Sequence, residues 1–219
     1  MSRAWFLTGT DTEIGKTFTT CALLHAARHQ GLTALGMKPV AAGVEADGRN
    51  EDVERILAAS QPVPTREAMN PYLLQAPIAP HIAAREEGTV IELEKIRSAY
   101  QALAEQAEVV IVEGAGGFRI PLGDTVDSAD LAVALGLPVI LVVGLRLGCI
   151  NHALLTAEAI LARGLPLAGW VANAVDPAML RREENIEALR QRLPAPLLGI
   201  VPHTPEGPAA ASRFLRLPD

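Results

Sequence analysis

The chain has 219 residues, 49% of them hydrophobic and 20% charged, and carries a net charge of −6 at neutral pH. This length is enough for one large domain with a sizeable core, and an acidic chain without a basic run excludes a nucleic-acid-binding surface. Cys21 and Cys149 lie far apart without metal-ligand spacing, so we expect neither a disulfide framework nor a zinc site. The apolar stretches are too short for a signal segment or a membrane span, and we expect a cytoplasmic protein.

The predicted elements begin with a strand at residues 4–8, which runs into a glycine-rich turn and then a helix at residues 16–29. A second strand is predicted at residues 33–37. A long loop at residues 39–50 leads to the acidic start of another helix. The proline-rich segment 61–80 is predicted to be irregular.

The rest of the chain alternates between helices and short aliphatic strands, which are typical of strands buried on both faces. In chain order these elements are a helix at 93–106, a strand at 109–112, a helix at 130–135, a strand at 138–143, a helix at 151–163, a strand at 167–172, a helix at 179–193, a strand at 197–201 and a short helix near 209–215. This alternation predicts one α/β domain over residues 1–219 with a doubly wound, mostly parallel sheet.

A glycine-rich segment lies between the first strand and the first helix, and its sequence is Gly9-Thr10-Asp11-Thr12-Glu13-Ile14-Gly15-Lys16-Thr17. In such a turn, backbone N–H groups and the positive end of the helix converge on phosphate oxygens. Lys16 would contact the β- and γ-phosphates of a nucleotide, and the Thr17 hydroxyl would ligate Mg²⁺. The spacing departs from G-x4-G-K-[ST], because five residues separate Gly9 from Gly15. A helix start without a nucleotide role is the alternative.

Further candidates follow strands or open helices, where α/β folds bind ligands. Lys38 would be a second cation beside a transferred phosphoryl group, and Glu113, before a run of glycines, suits Mg²⁺ or nucleotide contact. The amide of Asn173 could read adenine through paired donor and acceptor contacts. Residues 148–151 offer free helix N–H groups that suit a carboxylate. Asp52, taken alone, is explained by the helix dipole.

Several motifs resemble those of the dethiobiotin synthetase family, a family of P-loop enzymes. Besides the phosphate loop, they are Gly36-Met37-Lys38-Pro39-Val40, Asn70-Pro71-Tyr72, Pro80-His81, Val112-Glu113-Gly114-Ala115-Gly116-Gly117, Gly148-Cys149-Ile150-Asn151-His152, Gly169-Trp170-Val171-Ala172-Asn173 and Pro196-Leu197-Leu198-Gly199. The resemblance implies an ATP-dependent cyclo-ligase with Mg²⁺ as cofactor. It would join CO₂ to 7,8-diaminopelargonic acid and close the ureido ring of dethiobiotin in biotin synthesis.

The resemblance also implies roles for individual residues. The catalytic residues are Lys38, Lys16 and Thr12. The ATP-binding residues are Glu13, Ile14, Gly15, Lys16, Thr17, Phe18, Asp52, Glu113, Gly114, Ala115, Gly116, Asn173, Ala174, Pro202, His203 and Thr204. The substrate-binding residues are Thr12, Lys38, Ala42, Gly148, Cys149, Ile150 and Asn151. The metal ligands are Thr17, Asp52 and Glu113.

The family resemblance further implies a homodimer, in which the second subunit donates the helix start at residues 148–151 to the substrate's carboxylate. Ala42 departs from the pattern, because some relatives carry Ser there, and one hydroxyl contact to the substrate would be missing. We expect small-molecule substrates and neither nucleic acid nor a membrane as a partner.

Two other classes of P-loop protein share this fold and this mode of nucleotide binding. A ParA/MinD-type switch ATPase usually carries a signature lysine five residues before the loop lysine, where this chain has Asp11. The ATP-binding half of a cobyrinate-type amide ligase would normally need a following glutaminase domain, which we do not expect in a chain that ends at Asp219. Both alternatives are therefore disfavoured.

Overall fold

The computed structural model describes residues 2–203 and 206–219. Its strands are β1 (Arg3–Gly9), β2 (Ala34–Met37), β3 (Val40–Ala42), β4 (Tyr72–Leu74), β5 (Val109–Glu113), β6 (Val139–Gly144), β7 (Leu167–Asn173) and β8 (Leu197–Val201). Its helices are α1 (Lys16–His29), α2 (Glu51–Ala59), α3 (Arg66–Met69), α4 (Pro80–Glu86), α5 (Leu93–Ala104), α6 (Ser128–Leu135), α7 (Cys149–Ala162), α8 (Arg182–Arg192) and α9 (Gly207–Ala211), followed by a 3₁₀ turn at Ser212–Phe214. Among the described residues, no helix is both long and apolar enough to cross a bilayer.

Six strands form the central sheet in the order β2-β5-β1-β6-β7-β8, and all neighbouring pairs are parallel. Successive residues of β5 alternate between two hydrophobic clusters: Val110 and Val112 pack with α5 to α8, whereas Val109 and Ile111 pack with α1, α2 and α9. Strands buried on both faces have no solvent-facing side, which explains their unbroken aliphatic sequences. The prediction of a doubly wound α/β fold with a parallel sheet is confirmed.

The prediction was wrong for two segments before β5. The predicted loop 39–50 contains β3, and the segment predicted to be irregular contains α3 and β4, which pairs in parallel with β3 in a separate two-stranded sheet. Three-residue strands are too short to show a hydrophobic alternation. The Asn70 side chain connects the segment before β3 to the first residue of β4: its Nδ2 donates to the carbonyl oxygens of Lys38 (2.6 Å) and Tyr72 (3.1 Å).

The C-terminal tail covers the outer edge of β8. Leu215 pairs with Gly199 in an antiparallel bridge, and Arg216 N donates to Leu198 O at 3.0 Å. A Cβ atom on Gly199 would lie 2.0 Å from the Phe214 carbonyl oxygen. Glycine at position 199 therefore lets the tail approach the strand and close an edge that would otherwise be open to other chains.

We predict that Gly199→Ala lowers the free energy of unfolding by about 1–3 kcal/mol, because the new methyl group forces the tail off β8. Gly123→Ala is the matched control, because a Cβ there meets nothing within 4 Å. Urea unfolding of both variants measures the difference. Equal stability of the two variants would contradict this account of the tail.

Candidate active site

The candidate site lies at the carboxyl edge of the sheet, where three adjacent parallel strands end. Gly9 ends β1, Glu113 ends β5, and Lys38 directly follows β2. The order β2-β5-β1 puts these strand ends side by side. Residues far apart in sequence therefore meet at one place, and this is the edge at which open α/β sheets bind ligands.

The phosphate loop is closed by a contact from β7. Gly15 has a left-handed backbone (φ 79°), and a Cβ on it would lie 2.2 Å from Asn173 Nδ2. The same amide nitrogen donates to Ile14 O at 2.8 Å. Asn173 therefore holds the loop directly, a role that the sequence did not reveal, while its predicted contact with adenine stays a prediction.

Lys16, the first residue of α1, folds back over the loop and donates from Nζ to Asp11 O at 2.8 Å. Burial, followed by repulsion from the Lys38 ammonium, lowers the pKa of Lys16 to about 8. Two buried cations in one small region favour the binding of an anion between them. The loop thus has the electrostatics as well as the backbone geometry of a phosphate site.

Lys38 lies between two carboxylates. Its Nζ is 2.6 Å from Glu113 Oε1 and 3.0 Å from Asp52 Oδ2, and its side chain is only 6% exposed. Burial by itself lowers the pKa of Lys38, but the charges of Glu113 and Asp52 outweigh burial and raise it. Burial likewise raises the pKa of Asp52, and its interactions with Lys38 and Thr17 outweigh this and lower it. Lys38 is therefore a fixed positive charge, and not a surface lysine that caps a strand.

Glu113 is completely buried, and both of its oxygens accept hydrogen bonds from α1. Thr17 Oγ1 donates to Oε1 at 2.7 Å, and Thr20 Oγ1 donates to Oε2 at 2.5 Å. Sequence reasoning missed Thr20, which belongs to no phosphate-loop motif. Its position three residues after Thr17, on the same face of the helix, is the signal that could have found it.

The oxygen atoms around Lys38 fit a magnesium ion. Asp52 and Glu113 converge closely enough to share one cation, as their contacts with Lys38 Nζ demonstrate. The Thr17 hydroxyl donates to Glu113 Oε1, and it also helps to lower the pKa of Asp52. Within residues 2–203 and 206–219, no group of three or more histidine, cysteine, aspartate and glutamate side chains could hold a metal. A site of two carboxylates and one hydroxyl suits Mg²⁺, which usually completes its octahedron with phosphate oxygens and waters.

A cavity of about 630 Å³ opens beside this cluster. Of the predicted site residues, it is lined by Thr12, Glu13, Lys38, Ala42, Asp52, Ala115 and Gly116. Sequence reasoning missed its apolar wall, which includes Val40, Pro77, Ile78, Ile120 and Pro121. Most of these residues lie in loops that no hydrophobic periodicity marks. The cavity thus joins a charged end near Lys38 to a largely aliphatic wall.

Other predicted site residues lie elsewhere. In the described chain, Gly148, Cys149, Ile150 and Asn151 do not line this cavity. They form the start of α7, which is connected to the phosphate loop by an ion pair between Arg146 and Asp11. Cys149 is buried in the core, and burial raises the pKa of its thiol, as is typical of a packing cysteine.

The predicted base-pocket residues follow β7 and β8. Ala174 N donates to Val201 O at 2.9 Å, so the ends of these strands bring Asn173 and Ala174 near Pro202 and His203. Thr204 lies outside the described residues. Gly114 follows β5, and Phe18 lies partly buried in the first turn of α1.

Nearly the whole chain is similar to proteins of one enzyme family. It is 64% identical over 220 residues to the ATP-dependent dethiobiotin synthetase BioD of Aromatoleum aromaticum, covering 99% of this chain and 98% of that relative. It is 59% identical over 203 residues to the BioD of Nitrosospira multiformis, covering 93% of this chain and 89% of the relative. The chain belongs to the dethiobiotin synthetase family.

A family model described as an AAA domain also matches residues 3–209 of this dethiobiotin synthetase family member. Among solved structures, the MinD cell division protein of Aquifex aeolicus matches with a TM-score of 0.60 and 17% identity, over 94% of this chain and 84% of that one. At this identity, the likeness shows the P-loop fold alone. The resemblance inferred from the sequence motifs is therefore confirmed, and the ParA/MinD-type alternative is not favoured over it.

Proposed function

We propose that this chain is an ATP-dependent dethiobiotin synthetase that uses the cluster of Lys38, Asp52 and Glu113 as its reaction centre. The chain is an ATP-dependent ligase of the carbon–nitrogen bond-forming type, as its family membership implies. The observation that carries the proposal is a buried lysine that lies between two carboxylates, beside a phosphate loop, and lines a cavity. The substrates are 7,8-diaminopelargonic acid, CO₂ and ATP.

The charges of the substrates explain why two lysines are needed. The carbamate formed from an amine and CO₂ is an anion, and it must approach the γ-phosphate of ATP, which is also an anion. Lys16 and Lys38 supply two positive charges that lower this repulsion in a site screened from water. The aliphatic wall of the cavity, which includes Val40 and Ile78, suits the hydrocarbon chain of the diamine.

The reaction proceeds in three steps beside Lys38. One amine of the substrate adds to CO₂ and releases a proton, which gives the carbamate. A carbamate oxygen then attacks the γ-phosphorus of ATP, ADP leaves, and a carbamic-phosphoric anhydride forms. The second amine attacks the carbonyl carbon of this anhydride, expels phosphate and closes the five-membered ring. Thr12 and Lys38 both line the cavity, and in this proposal they would orient the reacting groups.

Thr17, Asp52 and Glu113 would hold Mg²⁺, which neutralises charge on the β- and γ-phosphates when it is bound. The backbone of residues 13–18 and residues 114–116 would surround the phosphates. Asn173, Ala174, Pro202 and His203 would face the base, and the resemblance adds Thr204.

Calorimetric titration of ADP with and without Mg²⁺ tests the metal assignment. We expect Mg²⁺ to raise the affinity for ADP, and an unchanged affinity would contradict the assignment.

The proposed reaction makes phosphate release depend on the diamine. With MgATP and bicarbonate alone, we expect only background release. Addition of 7,8-diaminopelargonic acid should start turnover and yield dethiobiotin, measurable by mass spectrometry. Phosphate release at the same rate with and without the diamine would contradict the proposal and favour a switch ATPase.

We predict that Lys16→Gln and Lys38→Gln each lower turnover by at least on the order of 10²-fold, since each removes one preorganised charge from the transition state. Lys95→Gln is the matched control, because Lys95 is an exposed lysine, with its Nζ 4.4 Å from the centre of the Tyr72 ring, and lies outside the cavity lining. Steady-state diamine-dependent phosphate release compares the three variants. A wild-type rate in either site variant would refute that assignment.

We further propose a homodimer in which the second subunit supplies the start of α7 to the substrate's carboxylate. Two features support this: residues 148–151 do not line the cavity of their own described chain, and Leu147 and Leu180 are 94% and 86% exposed. We expect Leu147→Asp to weaken the dimer and to raise the KM for the diamine about tenfold or more, because a buried unpaired charge is costly. Sedimentation velocity measures the assembly, and a monomeric wild type with full activity would contradict it.

We also propose a cytoplasmic location, which the two free cysteines Cys21 and Cys149 support. Cell fractionation tests this, and recovery of the chain in an extracytoplasmic fraction would contradict it.

A further inference from the structure

The Glu113 carboxylate is held from two sides by neighbouring turns of one helix. Oε1 accepts from Thr17 Oγ1 and from Lys38 Nζ, whereas Oε2 accepts from Thr20 Oγ1 at 2.5 Å. Thr17 and Lys38 belong to the proposed reaction centre. Thr20 has no assigned role in the reaction centre, although its hydroxyl makes the shorter of the two hydrogen bonds that α1 donates to Glu113.

Thr20 lies behind the reacting groups. Its side chain is completely buried, and it is not among the residues that line the 630 Å³ cavity. It follows Thr17 by three residues on α1, so both hydroxyls point to the same side of the helix. Its hydroxyl contacts the reaction centre through its hydrogen bond to Glu113.

The carboxylate group of a glutamate rotates easily, because its terminal torsion has broad minima. A single hydrogen bond on one oxygen leaves that rotation poorly fixed. Hydrogen bonds on both oxygens fix the plane of the group and decide which oxygen faces the site. In this chain Oε2 faces Thr20, and Oε1 is left to face Thr17 and Lys38.

We propose that Thr20 is a positioning residue, which turns Oε1 of Glu113 toward the cation site between Thr17, Asp52 and Lys38. The inference rests on the proposed role of Glu113 as a metal ligand. It adds a residue that no phosphate-loop motif contains. Partners that orient metal ligands usually matter strongly, and their loss weakens metal affinity by about ten- to hundredfold.

The neighbouring residue offers a matched control. Thr19 is as deeply buried as Thr20 and lies on the same helix, but its hydroxyl has no hydrogen-bond partner among the described residues. Thr19→Val and Thr20→Val make the same chemical change one residue apart. Only the second removes a hydrogen bond from Glu113.

The experiment titrates Mg²⁺ into the complex of each variant with ADP and records the heat of binding, so it needs neither the diamine nor turnover. We expect Thr20→Val to raise the half-saturating Mg²⁺ concentration about ten- to hundredfold. Thr20→Ser, which keeps the hydroxyl, and Thr19→Val should stay within about twofold of wild type. If Thr20→Val does not fold, as judged by thermal unfolding, Thr20→Ala removes the same hydroxyl with less crowding.

An unchanged Mg²⁺ requirement in the variants without the Thr20 hydroxyl would overturn the inference. Equal losses in Thr19→Val and Thr20→Val would overturn it too, since packing would then explain both, and so would a full loss in Thr20→Ser. These results are separate from the proposed function, because diamine-dependent phosphate release could succeed or fail whatever the Mg²⁺ titration gives.

Discussion

The buried ion pair between Lys38 and Glu113 is the interaction on which the rest of the site depends. Its two charged atoms lie 2.6 Å apart, and the Glu113 side chain is fully shielded from solvent. Removing two charges from water is costly, so a buried pair is weak evidence for stability. The helix and strand ends that surround it nevertheless supply hydrogen bonds to both partners. A buried ion pair beside a phosphate loop therefore indicates a functional site that handles charged substrates, and not a device for stability.

The topology of the sheet makes this pair possible. Strands β2, β5 and β1 are neighbours, so Lys38, Glu113 and the phosphate loop share one edge although they are far apart in sequence. Backbone contacts fix this edge: Lys38 N donates to Met69 O, Gly114 N, next to Glu113, donates to Leu7 O, and Thr10 N of the phosphate loop donates to Val142 O. The ends of β2 and β5 hold Lys38 and Glu113 within hydrogen-bonding distance before any ligand arrives, and the first turn of α2 adds Asp52. Such preorganisation is the main requirement of phosphoryl transfer.

Part of this site could be predicted from sequence alone. Lys16 and Thr17 stand in a strand–loop–helix pattern with a known phosphate chemistry, and Glu113 ends an aliphatic run that identifies its strand. Asp52 was assigned only through the family resemblance, because a carboxylate at a helix start has an ordinary local explanation. Its contact with Lys38 depends on how α2 packs relative to the end of β2, which the local sequence does not determine.

Contacts that join distant segments were beyond local reasoning. The hydrogen bond from Thr20 to Glu113 spans 93 positions, and that from Asn173 to Ile14 spans 159. The partner of Thr20 cannot be read from its neighbours on α1, although its spacing from Thr17 marks the helix face, and Asn173 has no local signal for its contact with Ile14. The strands β3 and β4 are too short to show a hydrophobic pattern. The extent of a single domain over residues 1–219 and the individual site roles stay predictions. Fold class and family could be predicted because the alternation of strands and helices and the family motifs both extend along nearly the whole chain, and both predictions are confirmed.

The central claim is that the phosphate loop and Lys38 bring the terminal phosphate of ATP to the carbamate formed on a substrate amine. The most direct measurement is a crystal structure of the chain with Mg²⁺, a non-hydrolysable ATP analogue and the diamine. We expect the β- and γ-phosphates on the amides of residues 13–17, with Lys38 Nζ between the γ-phosphate and an amine nitrogen. Phosphates bound elsewhere, or a Lys38 side chain directed into bulk solvent, would contradict the account.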